Sequence, residues 1–68
     1  MSKGILTARE REVFELLILN KSTKEISTYL GISEKTVRNH ISNVMQKMNV
    51  KGRSGVIIEL LKLGEINL

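Results

Sequence analysis

The stretch KEISTYLGISEKTVRNH, residues 24–40, decides the fold of this chain. Only Gly31 and Ile32 separate a helix that ends near Leu30 from the next helix-start signal, Ser33. Glycine adopts the left-handed backbone that closes a helix without steric cost. A connection this short forces the two helices to cross at a steep angle. The stretch therefore predicts a helix-turn-helix.

Three positions in this stretch meet the steric requirements of that motif. The small residue Ser27 lets the second helix approach, Gly31 makes the turn, and Val37 anchors the second helix. Gly31 follows Ser27 by four residues and Val37 follows Gly31 by six, and this spacing is moderately specific for a helix-turn-helix. The apolar filling between the two helices would come from Ile26, Leu30 and Ile32.

Helix-start signals divide the whole chain into four helices, predicted at about residues 8–19, 23–30, 34–48 and 54–63. Thr7 with Glu10, and Ser22 with Glu25, have the spacing of capping boxes. Ser54 is predicted to cap the fourth helix, which ends before a glycine. No segment shows the strict alternation of a strand. We therefore predict an all-α, four-helix helix-turn-helix DNA-binding domain that occupies residues 1–68 as one unit.

Length and composition narrow the class of protein. With 68 residues and no cysteine, the core is thin and cannot be reinforced by disulfides or thiolate metal sites. Self-association is then the expected source of further stability. The net charge of +4 and a pI near 9.8 are typical of nucleic-acid binders, although many small domains are basic. No membrane span or export signal is present, which together with the missing cysteines predicts a cytoplasmic, nucleoid-associated protein. No cofactor is expected.

The third predicted helix has the side chains that read DNA bases in the major groove. One of its faces carries the apolar stripe Val37, Ile41, Val44 and Met48, and the opposite face is polar throughout. Arginine bonds guanine bidentately, and asparagine does the same to adenine. Arg38, Asn39 and Ser42 are therefore the predicted base readers. The alternative is that this face is an ordinary solvated helix surface, and the preceding turn motif argues against that interpretation.

Basic and hydroxyl side chains surround this face and are predicted to contact phosphates, which orients a protein on DNA without reading sequence. They are Lys24, Ser33, Lys35, Thr36, Lys47, Lys51 and Arg53. Arg53 has an alternative role as the ion-pair partner of Glu10. The single histidine, His40, is predicted to be half-buried or to touch phosphate. No nucleophile or carboxylate pair accompanies it, so we do not expect an enzyme.

The fourth predicted helix is more apolar than a peripheral helix needs to be. One face would be formed by Val56, Leu60 and Leu63, and the apolar arc is widened by Ile57, Ile58 and Leu61. Exposed apolar patches of this kind mark interaction sites. We predict a homodimer through Ile57, Ile58 and Leu61, with burial of the helix in a groove as the alternative.

Several motifs of the chain resemble the LuxR/FixJ-type helix-turn-helix domain over about residues 6–64. They are LTAREREV at 6–13, KEIS at 24–27, ISEKTVRNH at 32–40 and KGRS at 51–54. The resemblance implies a four-helix domain that binds double-stranded DNA as a dimer, with its third helix in the major groove. It places base-reading positions at Arg38, Asn39 and Ser42, with Asn43 beside them, and phosphate contacts at Thr36 and nearby lysines.

The chain departs from the family pattern at two places. Ser27 stands where alanine is usual, and because it is also small the predicted packing is kept. Asn20 with Lys21 replaces the usual glycine after the first helix. Separately, Gly55 is expected to weaken the start of the fourth helix by about 1 kcal/mol relative to alanine, which affects where that helix begins and not the fold.

The resemblance implies a sequence-specific transcriptional regulator, similar to stand-alone members of the family that control late sporulation (spore-coat) genes. RNA polymerase is a candidate partner. Two other functions remain open. One is the output domain of a response regulator, against which the initial Met1 and the lack of an upstream linker argue mildly. The other is a helical protein-interaction module with no DNA target.

Overall fold

The computed structural model describes residues 5–67 of the chain. Within that range the chain forms four α-helices and no strand: α1 (Ala8–Ile18), α2 (Thr23–Leu30), α3 (Glu34–Met48) and α4 (Arg53–Lys62). The all-α, four-helix prediction is confirmed, and each predicted boundary lies within one residue of the observed one. Helix α3 packs against each of the other three helices, so it is the centre of the fold.

The first two helices begin with the capping boxes that the sequence predicts. The Thr7 hydroxyl accepts from the Glu10 amide at 3.1 Å, and the Glu10 carboxylate accepts from the Thr7 amide at 3.0 Å. Ser22 and Glu25 repeat this exchange at 3.0 and 2.8 Å. Each box satisfies two amides that the helix itself leaves without a partner.

The predicted cap of α4 is wrong. Helix α4 begins at Arg53, Gly52 precedes it with φ of 86°, and no side chain caps it. Because Gly52 turns the chain into the helix early, Ser54 lies inside the first turn. Gly55 packs closely: a Cβ there would lie 2.9 Å from Cγ1 of Val50. Because the loop approaches α4 this closely, glycine is favoured at position 55 although it weakens the helix.

Helices α1, α3 and α4 end with the same hydrogen-bond pattern, although α1 lacks the family's glycine. After α1 the Asn20 amide donates to the Leu17 carbonyl at 2.9 Å and the Lys21 amide donates to the Leu16 carbonyl at 3.1 Å. This is the Schellman motif, which needs one left-handed residue. In α2 the Gly31 and Ile32 amides both donate to the Ser27 carbonyl instead. The left-handed residue at the four ends is in turn Asn20, Gly31, Asn49 and Gly64, with φ of 65°, 70°, 57° and 74°. Asparagine tolerates this backbone, so the departure at Asn20 leaves the helix end intact.

The core contains apolar side chains from every helix and from both flanking segments. It consists of Leu6, Val13, Phe14, Ile26, Val37, Ile41, Val44, Val56, Leu60 and Ile66. The predicted stripe of α3 is confirmed, with Met48 half-buried at its end. Leu63 is about half exposed, so its predicted place on the buried face of α4 is wrong. Helix α4 ends at Lys62, and Ile66 fills the core instead.

The two flanking segments are joined by Glu65. Its carboxylate accepts from the Ile5 amide at 3.2 Å and from the Arg11 guanidinium at 3.2 Å. Arg11 also donates to the Glu65 carbonyl. These contacts hold Leu6 and Ile66 over the core.

A buried ion pair links α1 to α3. Glu10 is buried, and its carboxylate accepts from the Lys47 ammonium, which also donates to the Ile5 carbonyl at 3.2 Å. Burial raises the pKa of Glu10, but the hydrogen bonds from Lys47 and the Thr7 amide, with the charges of Lys47 and His40, outweigh it and lower the pKa below 4.5. The prediction that Arg53 pairs with Glu10 is therefore wrong.

This ion pair makes folding pH-dependent. Because the pKa of Glu10 is lower in the folded than in the unfolded chain, its stabilisation is present above the unfolded value and is lost as the pH falls through the folded value. We expect the urea midpoint of the native chain to drop between about pH 5 and pH 3 more steeply than that of Glu10→Gln. Parallel curves for the two proteins would contradict this.

Candidate nucleic-acid interface

The turn between α2 and α3 fixes the direction of α3. Ser27 is buried, and its hydroxyl donates to the Lys24 carbonyl at 2.8 Å within the same helix. The Ile32 amide donates to the Ser27 carbonyl at 3.0 Å, which closes the turn over Gly31. Val37 is completely buried one turn into α3. The small residue, the glycine and the aliphatic anchor thus all occupy the places that the sequence predicts.

The opposite face of α3 is exposed and polar. Arg38, Asn39, Ser42 and Asn43 are all exposed. The Arg38 guanidinium lies 3.6 Å from the Glu34 carboxylate, and both side chains are about half exposed. A surface pair of this kind contributes little, so Arg38 can leave Glu34 for a base at low cost. The face carries donors and acceptors that match base edges.

The beginning of α3 presents groups that suit a phosphate. The Ser33 hydroxyl accepts from the Thr36 amide at 3.0 Å and donates to the Thr36 hydroxyl at 2.9 Å. The remaining amides of the first turn and the positive end of the helix favour an anion. Lys35 is exposed beside them, and Lys24 is exposed in the first turn of α2.

The other predicted phosphate contacts lie at the end of α3 and after it, and their surroundings differ. Lys51 and Arg53 are exposed in the loop and at the start of α4. Lys47 instead directs its ammonium at Glu10 and the Ile5 carbonyl. Its role in the structure is to join α1 and α3, which a search for surface lysines in the sequence could not detect.

The remaining predicted features lie away from this face. His40 is half-buried on α3. Ile58 is 55% exposed on α4, and Ile57 and Leu61 beside it are half-buried. Among residues 5–67, no helix is both long and apolar enough to cross a membrane, and no His, Cys, Asp or Glu residues are grouped as metal ligands.

Comparison with known proteins identifies the family to which this helix-turn-helix belongs. The model of the family GerE, described as bacterial regulatory proteins of the luxR family, matches residues 4–60. The chain belongs to the luxR family of bacterial regulatory proteins. It is therefore a DNA-binding transcriptional regulator and not an enzyme, as the sequence predicts.

Individual proteins are similar to this chain over nearly its whole length. The chain is 67% identical over 67 residues to the spore germination protein GerE of Bacillus subtilis (strain 168), covering 98% of this chain and 90% of that protein. A solved structure of the transcription factor GerE superposes with a TM-score of 0.93 at 62% identity, over 96% of this chain and 97% of that one.

A longer relative shows how the same domain occurs in larger proteins. The chain is 47% identical to the transcriptional regulatory protein DegU of Brevibacillus brevis, and the match covers 94% of this chain. The chain spans only 27% of that relative's length. The similarity is therefore confined to about a quarter of that relative.

Proposed function

We propose that the chain regulates genes of sporulation as a homodimer that reads a two-fold or tandem DNA site with α3. The exposed polar face of α3, held in place by the buried turn before it, is the observation that supports this most directly. The sporulation role is supported by the identity to a protein named for spore germination. On this proposal residues 1–68 act as one domain at the nucleoid in the cytoplasm, with RNA polymerase as a further partner.

The proposed base readers are Arg38, Asn39, Ser42 and Asn43, which share one exposed face of α3. The proposed phosphate contacts are Lys24, Ser33, Lys35, Thr36, Lys51 and Arg53, which lie around that face. Lys47 is left out of this set because its ammonium is held by Glu10. The operator itself would be found by selecting bound duplexes from random DNA at about 0.15 M salt, where phosphate binding alone is weakened.

Arg38→Ala tests base reading. Loss of a bidentate contact to guanine should weaken binding to the selected site by about 1–3 kcal/mol per half-site and relax the preference at one base pair. Lys35→Ala is the matched control, because loss of a phosphate contact should weaken all sequences about equally. Equal losses on selected and random DNA for Arg38→Ala would contradict a base-reading role.

The proposed dimer forms through Ile57, Ile58 and Leu61 on α4. Ile58 is more than half exposed while its two neighbours are half-buried, so a partner could cover the remaining apolar surface of all three. A dimer places the two α3 helices about 34 Å apart, which is one turn of DNA. Paired half-sites at this spacing in the selected DNA would support it.

Ile58→Asp should separate the dimer without unfolding the domain, because the side chain is mostly in water. Without the second subunit, affinity for a paired site should fall by roughly 100-fold or more. Sedimentation and binding to paired and single half-sites would measure both effects. Leu19→Asp, at a similarly exposed leucine directly after α1, is the control and should leave the dimer intact. A dimer that survives Ile58→Asp would show that α4 is not the contact.

A further inference from the structure

A second apolar surface lies between α1 and α2, and neither the proposed DNA contacts nor the proposed dimer uses its apolar side chains. We call it the α1–α2 groove and define it by Leu16, Leu19, Ile26, Thr28 and Tyr29, which line a cavity of about 520 Å³. A smaller depression shares Leu16, Leu19 and Tyr29 with it. Together they form a trough along both helices.

Two large side chains of this groove are mostly exposed. Tyr29 is 77% exposed and Leu19 is 65% exposed. The chain has only two aromatic residues, Phe14 and Tyr29, and Phe14 is completely buried. Large exposed tyrosines are enriched at protein interfaces, where they combine apolar area with a polar tip.

The two edges of the groove carry opposite charges. Lys21 and Lys24 line the α2 side, and Glu12 and Glu15 line the α1 side of the smaller depression. Glu25 also lies at the lysine edge, but its carboxylate accepts from the Ser22 amide at 2.8 Å. Hydrogen bonding to that amide, together with the charge of Lys21, lowers its pKa, so Glu25 stays charged and offsets one of the two lysines. The lysine edge keeps a net positive charge, which favours an acidic partner.

We propose that the α1–α2 groove binds an amphipathic helix of a partner protein. The apolar stripe of that helix covers Leu19 and Tyr29. Acidic side chains on one flank face Lys21 and Lys24, and basic side chains on the other flank face Glu15. A helix is the suitable partner because both walls are helices, which accept side chains spaced three and four residues apart.

A second copy of this chain is a poor occupant of the groove. It would present the same recess, and two concave surfaces bury little of each other. The charged edges of two copies would repel each other if the copies met in parallel. They would pair only if the copies met in the reverse direction. A protein helix with one acidic and one basic flank matches both the shape and the charge of the groove.

The test uses three synthetic helical peptides of about 18 residues, long enough to populate a helix. They share one leucine stripe and differ in their flanks: one acidic and one basic, both acidic, or both basic. Each is titrated into the full chain labelled with nitrogen-15. The mixed-flank peptide should shift the amides of Leu19 and Tyr29 and bind about fivefold tighter than either of the others.

Two variants connect the binding to the groove. Tyr29→Ala should weaken the mixed-flank peptide by about tenfold or more, because it removes the largest apolar contact. Lys21→Glu should weaken the mixed-flank peptide and strengthen the peptide with two basic flanks. Neither residue belongs to the proposed DNA-binding set, so both variants should bind DNA as the native chain does.

Three results would overturn the proposal: no binding of the mixed-flank peptide, equal binding of all three peptides, or amide shifts outside the groove. Amide shifts in the groove that appear when only the protein concentration is raised would identify a second copy as the occupant. That result would overturn the proposal as well. Because DNA binding is measured on the same samples, a failure here is distinguishable from a failure of the proposed regulator.

Discussion

The affinity of the dimer for its DNA site should fall by about four orders of magnitude between 0.05 and 0.2 M salt. Each subunit of the proposed dimer would contribute the proposed phosphate contacts named above. If a dimer neutralises about eight phosphates, the released counterions give a slope near −7 in log affinity against log salt. Fluorescence anisotropy with a labelled duplex measures this slope directly.

Individual contacts can be counted by the same measurement. Lys35→Gln removes one proposed phosphate contact per subunit and should make the slope of the dimer shallower by about 2. Lys47→Gln is the contrasting variant, because its ammonium is held by Glu10, and it should leave the slope unchanged while lowering stability. A flat salt response of the native chain would contradict phosphate-dominated binding altogether.

Phe14→Ala should leave the domain largely unfolded at 25 °C. Phe14 is completely buried at the centre of the core, and removal of such a ring costs about 3–5 kcal/mol. A chain of this length has a total stability of roughly 3–10 kcal/mol, so this single loss takes most of it. Far-ultraviolet circular dichroism and urea unfolding would show the loss of helix.

Tyr29→Ala is the matched control for this prediction, since it removes the only other aromatic ring of the chain. Tyr29 is 77% exposed, and surface substitutions usually change stability by less than about 0.5 kcal/mol. Its urea midpoint should stay close to that of the native chain. A large loss of stability in Tyr29→Ala would mean that the ring supports the fold, which would contradict its assignment to an open groove.

Local features of the fold could be predicted from the sequence because a few neighbouring residues determine them. The capping boxes at Thr7 and Ser22 involve atoms three residues apart. The turn at Gly31 depends on one backbone conformation, and the stripe from Val37 to Val44 depends on helical spacing. For the same reason the exposed face of α3 could be predicted, because it is the side opposite that stripe.

Features that join distant parts of the chain could not be predicted. Lys47 reaches Glu10 across 37 positions, and Arg11 reaches Glu65 across 54. No pattern in the sequence marks such pairs, so the sequence places Lys47 among the phosphate contacts and offers Glu10 only as an alternative partner of Arg53. Leu6 and Ile66 lie outside the helices, where periodicity has no meaning, yet both are buried.

The hydrogen bonds at Glu65 bring the beginning and the end of the described chain to one spot on the surface. Glu65 lies only three residues after the end of α4 at Lys62, and its carboxylate accepts from the Ile5 amide. A segment attached ahead of Ile5 would therefore be anchored next to the end of α4. Because the Ile5 carbonyl also accepts from Lys47 on α3, movement of that segment would act on the DNA-reading helix as well as on the proposed dimer helix.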